Sequence, residues 1–154
     1  MTDDANRIKL QGFLEDKLKW HDYTHIVVAD DDMPKAQWFI HTVGRARSDQ
    51  PELILTGPVE PQQAMDLIGD VAAYERRVGQ LPVGTLPADA ARQRLRLVDA
   101  SNPFVLEKRV AQASSRFGSG IRVLQVLWPD HAGHFPDDPA YDEQGCPQQL
   151  LGAP

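Results

Sequence analysis

The sequence predicts an α+β domain: a largely antiparallel or mixed β-sheet with about three helices packed on it. Three observations carry that expectation. Short β-branched segments at 24–29, 37–43 and 52–56 follow one another through turns, the pattern of an antiparallel meander. Residues 61–78 place Ala64, Leu67, Ile68, Val71 and Val78 on one helical stripe. A strand, a capped helix and a second strand then follow between residues 94 and 127.

Each element has a local reason. Leu10, Phe13, Leu14 and Leu18 recur at helical spacing from about Asn6 to Trp20, with Lys17 and Lys19 near the end, where cations suit the helix dipole. Gly12 is the weak point of that helix. Thr24 to Ala29 is β-branched and closes at the Asp30-Asp31-Asp32-Met33-Pro34 turn. Gln37 to Val43 alternates, with Trp38, Ile40 and Thr42 on one face and Phe39, His41 and Val43 on the other. Gly44 ends this strand, and the next, Glu52 to Thr56, is entered through Pro51 and closed by Gly57-Pro58.

Pro61 opens the clearest helix, and Gly79 suits the position just past its end. Leu81 to Ala90 holds Pro82, Gly84 and Pro87 and reads as irregular, while Arg94 to Val98 alternates charge and apolar. Ser101-Asn102-Pro103 reads as a cap with a first-turn proline, for a helix running to Phe117 with Leu106, Val110, Ala113 and Phe117 inward. Gly118-Ser119-Gly120 turns the chain into the Ile121 to Leu127 strand, apolar on both faces. Residues 1–136 are read as one domain and 137–154 as a proline-rich C-terminal arm, loosely attached or partly disordered.

Bulk properties narrow the classes. The length of 154 residues fits one core, and 42% hydrophobic with 25% charged residues is an ordinary globular composition. A net charge of −6 disfavours nucleic acid as a partner. Cys146 stands alone, so no internal disulfide forms. Met1-Thr2-Asp3-Asp4 is not the basic start of a secretory signal, and no apolar run approaches the roughly 20 residues a membrane span needs, so a cytoplasmic protein is expected. Glycine-rich nucleotide loops, the G-x-S-x-G elbow and paired zinc cysteines are absent from the sequence, and the cofactor stays open.

Three blocks, Phe39-Ile40-His41-Thr42-Val43-Gly44, Pro51-Glu52-Leu53-Ile54, and Leu124 to Asp130 followed by Gly133 and Phe135-Pro136, stand in fixed order. In that order the chain resembles the bacterial and phage domain-of-unknown-function family numbered 4262, over roughly residues 20–138. It departs from the family pattern at His41, Arg45 and Asp137, where the pattern has an aromatic, a leucine and a tryptophan. The resemblance implies a fold and a single domain, and brings no reaction with it.

The candidate site lies in the same blocks. Gln125 interrupts an apolar strand face, and a buried amide must find partners or cost ~1–3 kcal/mol. It is either bonded to the fold or aimed at a ligand. Asp130, after Trp128-Pro129, is either an Asx-turn acceptor with Gly133 supplying the permissive dihedral or a carboxylate in a cleft. His41 is either a sheet-face histidine or a general base, with Glu52 as its neighbour across a turn. Glu52 is otherwise a salt-bridge partner for Arg45 or Arg47, and Arg92, Arg94 and Arg96 are either a phosphate stripe or a solvated edge. His131, His134, Asp137 and Asp138 lack metal-site spacing, so no metal is assigned.

His41, Glu52 and Asp130 are therefore the catalytic candidates, and Thr42, Gly44, Gln125, Trp128 and His134 the ligand-binding ones, lining one polar cleft where strand ends meet. The leading expectation is a small-molecule-binding domain, with enzymatic activity left open. The alternative is an accessory protein that acts through a protein partner, and self-association stays open in both.

Overall fold

The computed structural model describes residues 2–152, with side chains from Lys9 onward; Met1, Ala153 and Pro154, and with them the ends of the expected domain and arm, lie outside the described residues. Six strands form one mixed sheet: β1 (Thr24–Val28), β2 (Phe39–Val43), β3 (Glu52–Thr56), β4 (Gly84–Thr85), β5 (Arg96–Asp99) and β6 (Val123–Leu127). Their order across the sheet is β1-β2-β3-β6-β5-β4. The first three are the expected antiparallel meander. β6 then inserts between β3 and β5, parallel to β3 and antiparallel to β5. β2, β3 and β6 are buried along their whole length, which is why they read as apolar runs.

Alternation divides the core in two. Ile40, Leu53, Leu55, Leu97, Leu124 and Val126 face α2 (Pro61–Val78), which presents Ala64, Leu67, Ile68 and Val71. Phe39, Val43, Ile54 and Val123 face the other way, toward α1 (Thr2–Trp20), α3 (Pro103–Lys108) and α4 (Ala111–Phe117). Truncating one of these buried leucines or isoleucines to alanine costs about 2–5 kcal/mol, so each layer is specified by several residues.

The helix ends follow the sequence closely. The Glu60 carboxylate accepts the Gln63 N–H at 3.1 Å before Pro61, and Gly79 closes α2 at φ +93°. The Asn102 side chain accepts the Val105 N–H at 3.0 Å before Pro103.

Some local expectations change. The single helix of 103–117 is two, because the Arg109 and Val110 N–H groups both bond the Val105 carbonyl and the chain bends there. The bend lets Val105, Val110 and Ala113 all bury against the sheet. Within the irregular 81–90 stretch, Gly84–Thr85 adds a short edge strand to β5. Phe13 and Val78, expected inward, are half-exposed.

The C-terminal segment has no helix or strand, but it is packed down: Tyr141, Cys146, Gln148 and Leu151 are buried. No described helix is long and apolar enough to cross a membrane.

Candidate functional site

The expected site residues gather in separate groups rather than in one cleft. The first group lies where β2 leaves the sheet. The Glu52 side chain is fully buried and accepts four hydrogen bonds: Thr42 Oγ1 at 2.7 Å and the consecutive N–H groups of Gly44, Arg45 and Ala46 at 3.0–3.2 Å. Gly44 makes this possible. Its φ is +126°, and a Cβ there would stand 2.7 Å from Leu18 Cδ2 and 2.8 Å from the Asp22 carbonyl oxygen. Burial pushes the Glu52 pKa up, against the downward pull of its four donors. Arg45 turns away from Glu52 and forms a buried ion pair with Glu75 of α2, while its Nε donates to the Pro51 carbonyl at 2.7 Å.

A second group lies at the opposite ends of the strands. Gln125 Nε2 donates to the Gln149 carbonyl at 2.6 Å and to Thr56 Oγ1 at 3.1 Å, and Gln125 Oε1 accepts the Leu151 N–H at 2.8 Å. The amide that interrupts the apolar face thus holds the C-terminal segment. The Trp128 indole N–H donates to the Thr56 carbonyl at 2.9 Å, and Gln148 bonds both the N–H and the carbonyl of Trp128. Gly57, at φ +105°, allows this crowding, since a Cβ would lie 2.6 Å from the Pro147 carbonyl oxygen and 2.9 Å from Trp128 Cζ2.

Asp130 sits just beyond, with His134 beside it. Its Oδ1 accepts the Ala132 and His134 N–H groups at 3.0 and 2.8 Å, and its Oδ2 accepts the Asp142 N–H at 2.9 Å. Burial raises the Asp130 pKa, but the N–H donors of Asp142, His134 and Ala132 outweigh it and hold the carboxyl below its ordinary range. His134 Nδ1 is 3.7 Å from Asp130 Oδ2. Asp137 and Asp138 pair with Arg96 rather than with the histidines. Arg94 and Arg96 cover the buried Phe135 ring, at 5.3 and 4.4 Å from its centroid.

His41 stands apart from both groups. The cross-strand register aligns Ile26, His41, Ile54, Gln125 and Val98 in one row, so His41 and Gln125 share a face two strand spacings apart, about 10 Å. Its Nδ1 donates to the Thr42 carbonyl at 2.9 Å. Burial lowers its pKa to about 4, helped by nearby His25 and opposed by the Thr42 hydrogen bond, so the ring is neutral near pH 7.

Of the expected residues, Trp128 lines a cleft at the strand ends, a space of about 440 Å³ over the C-terminal ends of the parallel pair β3 and β6. Pro58, Val59, Gln63, Leu67, Arg92 and Gln93 complete its walls together with Asp66. Arg92 holds Asp70 through two hydrogen bonds at 2.8 and 2.9 Å and reaches Asp66 at 3.3 Å. Its guanidinium, hydrogen-bonded to Asp70, holds that carboxyl below the ordinary range. The sequence singled out Arg92 only as one of an alternating row; Gln63, Asp66 and Gln93 gave no signal, because helix surfaces ordinarily carry such residues. Among the described residues, no three of His, Cys, Asp and Glu gather as a metal site.

Comparison with known proteins gives a family and nothing finer. No curated protein and no solved structure matches the chain. The model of the family described as domain of unknown function DUF4262 matches residues 18–142. That match spans most of the chain and includes β1 to β6, Glu52 with its donors, Gln125 and the Trp128 cleft; the chain belongs to the DUF4262 family.

Proposed function

We propose that the chain is a small-molecule-binding domain whose ligand occupies the Trp128 cleft. The observation that carries this reading is the position of the cleft: it opens over the C-terminal ends of the parallel strand pair β3 and β6, where the chain leaves β3 for α2. Loops at such ends are held by the sheet yet carry no sheet duty, which is why ligands gather there in α/β sheets. Its volume of about 440 Å³ suits a small molecule.

The walls narrow the chemistry. The half-buried Trp128 ring offers an apolar face, and Gln63 and Gln93 each offer a donor and an acceptor. Two carboxylates, Asp66 and Asp70, stand against the single guanidinium of Arg92, so a phosphate meets net negative charge. A flat, neutral or weakly cationic heteroaromatic ring with a hydrogen-bonding edge fits best. In this reading Glu52, Asp130 and Gln125 are positioning residues, because their hydrogen-bonding capacity is spent on the fold.

Native mass spectrometry of the purified chain with neutral heteroaromatic probes, nicotinamide and adenine, tests the reading. A one-to-one complex lost in a Gln63→Trp variant that fills the cleft supports it, and no complex with any such ring speaks against it.

A second reading, a protein-docking domain, is favoured by α1. Phe13 and Trp20 are 49% and 80% exposed, and with Lys17 they fall on one helix face. A concentration-dependent dimer that sedimentation detects in the wild type and not in Trp20→Ala supports it with a second copy as partner.

A further inference from the structure

On the other side of the sheet, away from the Trp128 cleft, a second space of about 350 Å³ lies between β1–β2 and the α3–α4 bend. We propose that it is a separate binding site for a small apolar carboxylic acid that also carries a hydroxyl group. Its polar lining is one neutral acceptor, His41, two cations, Lys108 and Arg109, and the Gln112 amide, whose Oε1 already accepts from Gln11 Nε2 at 2.6 Å. Leu10, Ile26, Val28, Met33 and Phe39 make the apolar part.

His41 is only 2% exposed, yet it lines this space. A carbonyl can only accept, so the Nδ1 contact with Thr42 fixes the proton on Nδ1 and leaves Nε2 as a lone-pair acceptor. Nε2 has no protein partner among the described residues. A ligand that brings an O–H into the space can donate to that lone pair.

Arg109 supplies the complementary half. Its guanidinium lies over two aromatic rings, 4.8 Å from the Phe104 centroid and 5.5 Å from that of Phe39. Its Nε is buried without a hydrogen-bond partner, and its longest reach, to Gln149 Oε1, is 3.4 Å. No carboxylate pairs with it among the described residues, unlike Arg45, Arg92 and Arg96. With Lys108 on the same wall, the described lining carries an excess of positive charge that suits an anion; a carboxylate matches the guanidinium fork.

The groups facing His41 sharpen the choice. Burial and His25 on β1 disfavour an imidazolium, so His41 stays the acceptor for the hydroxyl while the cations Lys108 and Arg109 take the carboxylate of the ligand. At ~30 Å³ per water, the space corresponds to about a dozen waters, so a ligand of roughly ten heavy atoms fits.

Three probes of matched length separate the contributions: 3-hydroxyoctanoate, octanoate without the hydroxyl, and octane-1,3-diol without the carboxylate. Titration followed by calorimetry and by the His41 ring-nitrogen resonances should show 3-hydroxyoctanoate bound, octanoate about tenfold weaker, and the diol weaker still. The His41 Nε2 resonance should move with the hydroxy acid, the Trp128 indole resonance should not, and Arg109→Gln should abolish binding while Arg109→Lys keeps part of it. Equal binding of diol and acid, binding unchanged in a folded Arg109→Gln variant, or no binding of the hydroxy acid to the wild type each overturns the proposal. None of these outcomes touches the Trp128 cleft, whose ring probes are read at a different resonance.

Discussion

The Gln125 side-chain amide donates to the backbone carbonyl of Gln149 at 2.6 Å, which ties β6, a central strand of the sheet, to a C-terminal segment with no regular structure of its own. Its Oε1 takes the Leu151 N–H in the same clasp. Replacing Gln125 by methionine keeps the volume and removes these contacts together with the one to Thr56 Oγ1, leaving the buried Leu151 N–H without an acceptor. A loss of about 1–3 kcal/mol in urea unfolding follows, with faster amide exchange at Leu151. Unchanged exchange at Leu151 would show that the clasp does not hold the segment.

Glu52 makes the matching closure at the other end of the strands. Its carboxylate collects three consecutive backbone N–H groups that otherwise have no acceptor in the turn after β2. Glu52→Gln keeps the shape but turns an amide NH₂ toward N–H donors. The expected loss is about 2–3 kcal/mol in chemical denaturation. A variant as stable as wild type would mean that the turn is held by Arg45 and Glu75 instead.

His41 gives the fold a pH dependence with a definite sign. Its folded pKa is about 4 against an ordinary 6.5, so between those values the unfolded chain binds the proton and the folded chain does not. Stability therefore falls as pH drops from about 6.5 to about 4, by on the order of 3 kcal/mol from this group. Glu52, whose pKa is raised, acts with the opposite sign, losing stability as pH rises, but it is present in both wild type and a His41→Gln variant. The difference between their unfolding curves across that window isolates His41, and the variant should be flatter.

How much of this was legible in the sequence depends on the range of each interaction. β2, β3 and β6 are five-residue runs bounded by glycine, proline or polar turns, so period and punctuation located them. Asn102 and Gly79 act within three or four residues, and their caps followed from residue type alone. Asp130 could be framed as a turn acceptor because two of its donors are two and four residues away.

Gln125 could be marked as needing partners, but those partners stand 24 and 26 residues on, in a segment with no periodicity. His41 and Trp128 could not be assigned to different spaces, because that requires the strand order, and β6 reaches its place by inserting between β3 and β5. The break at Val110 depends on tertiary burial of both helix halves, which propensity does not encode.

The most direct test of the account is the Trp128 indole N–H resonance, assigned by its loss in Trp128→Phe, during titration with nicotinamide and adenine. That N–H is pinned to the Thr56 carbonyl and its ring lines the cleft, so a ring stacked on Trp128 shifts the resonance without breaking the bond. The account predicts a saturable shift of this resonance together with those of the Gln63 and Gln93 side-chain amides, lost in Gln63→Trp. Saturable binding of such rings that leaves Trp128 unmoved, or the same shift persisting in Gln63→Trp, would contradict it.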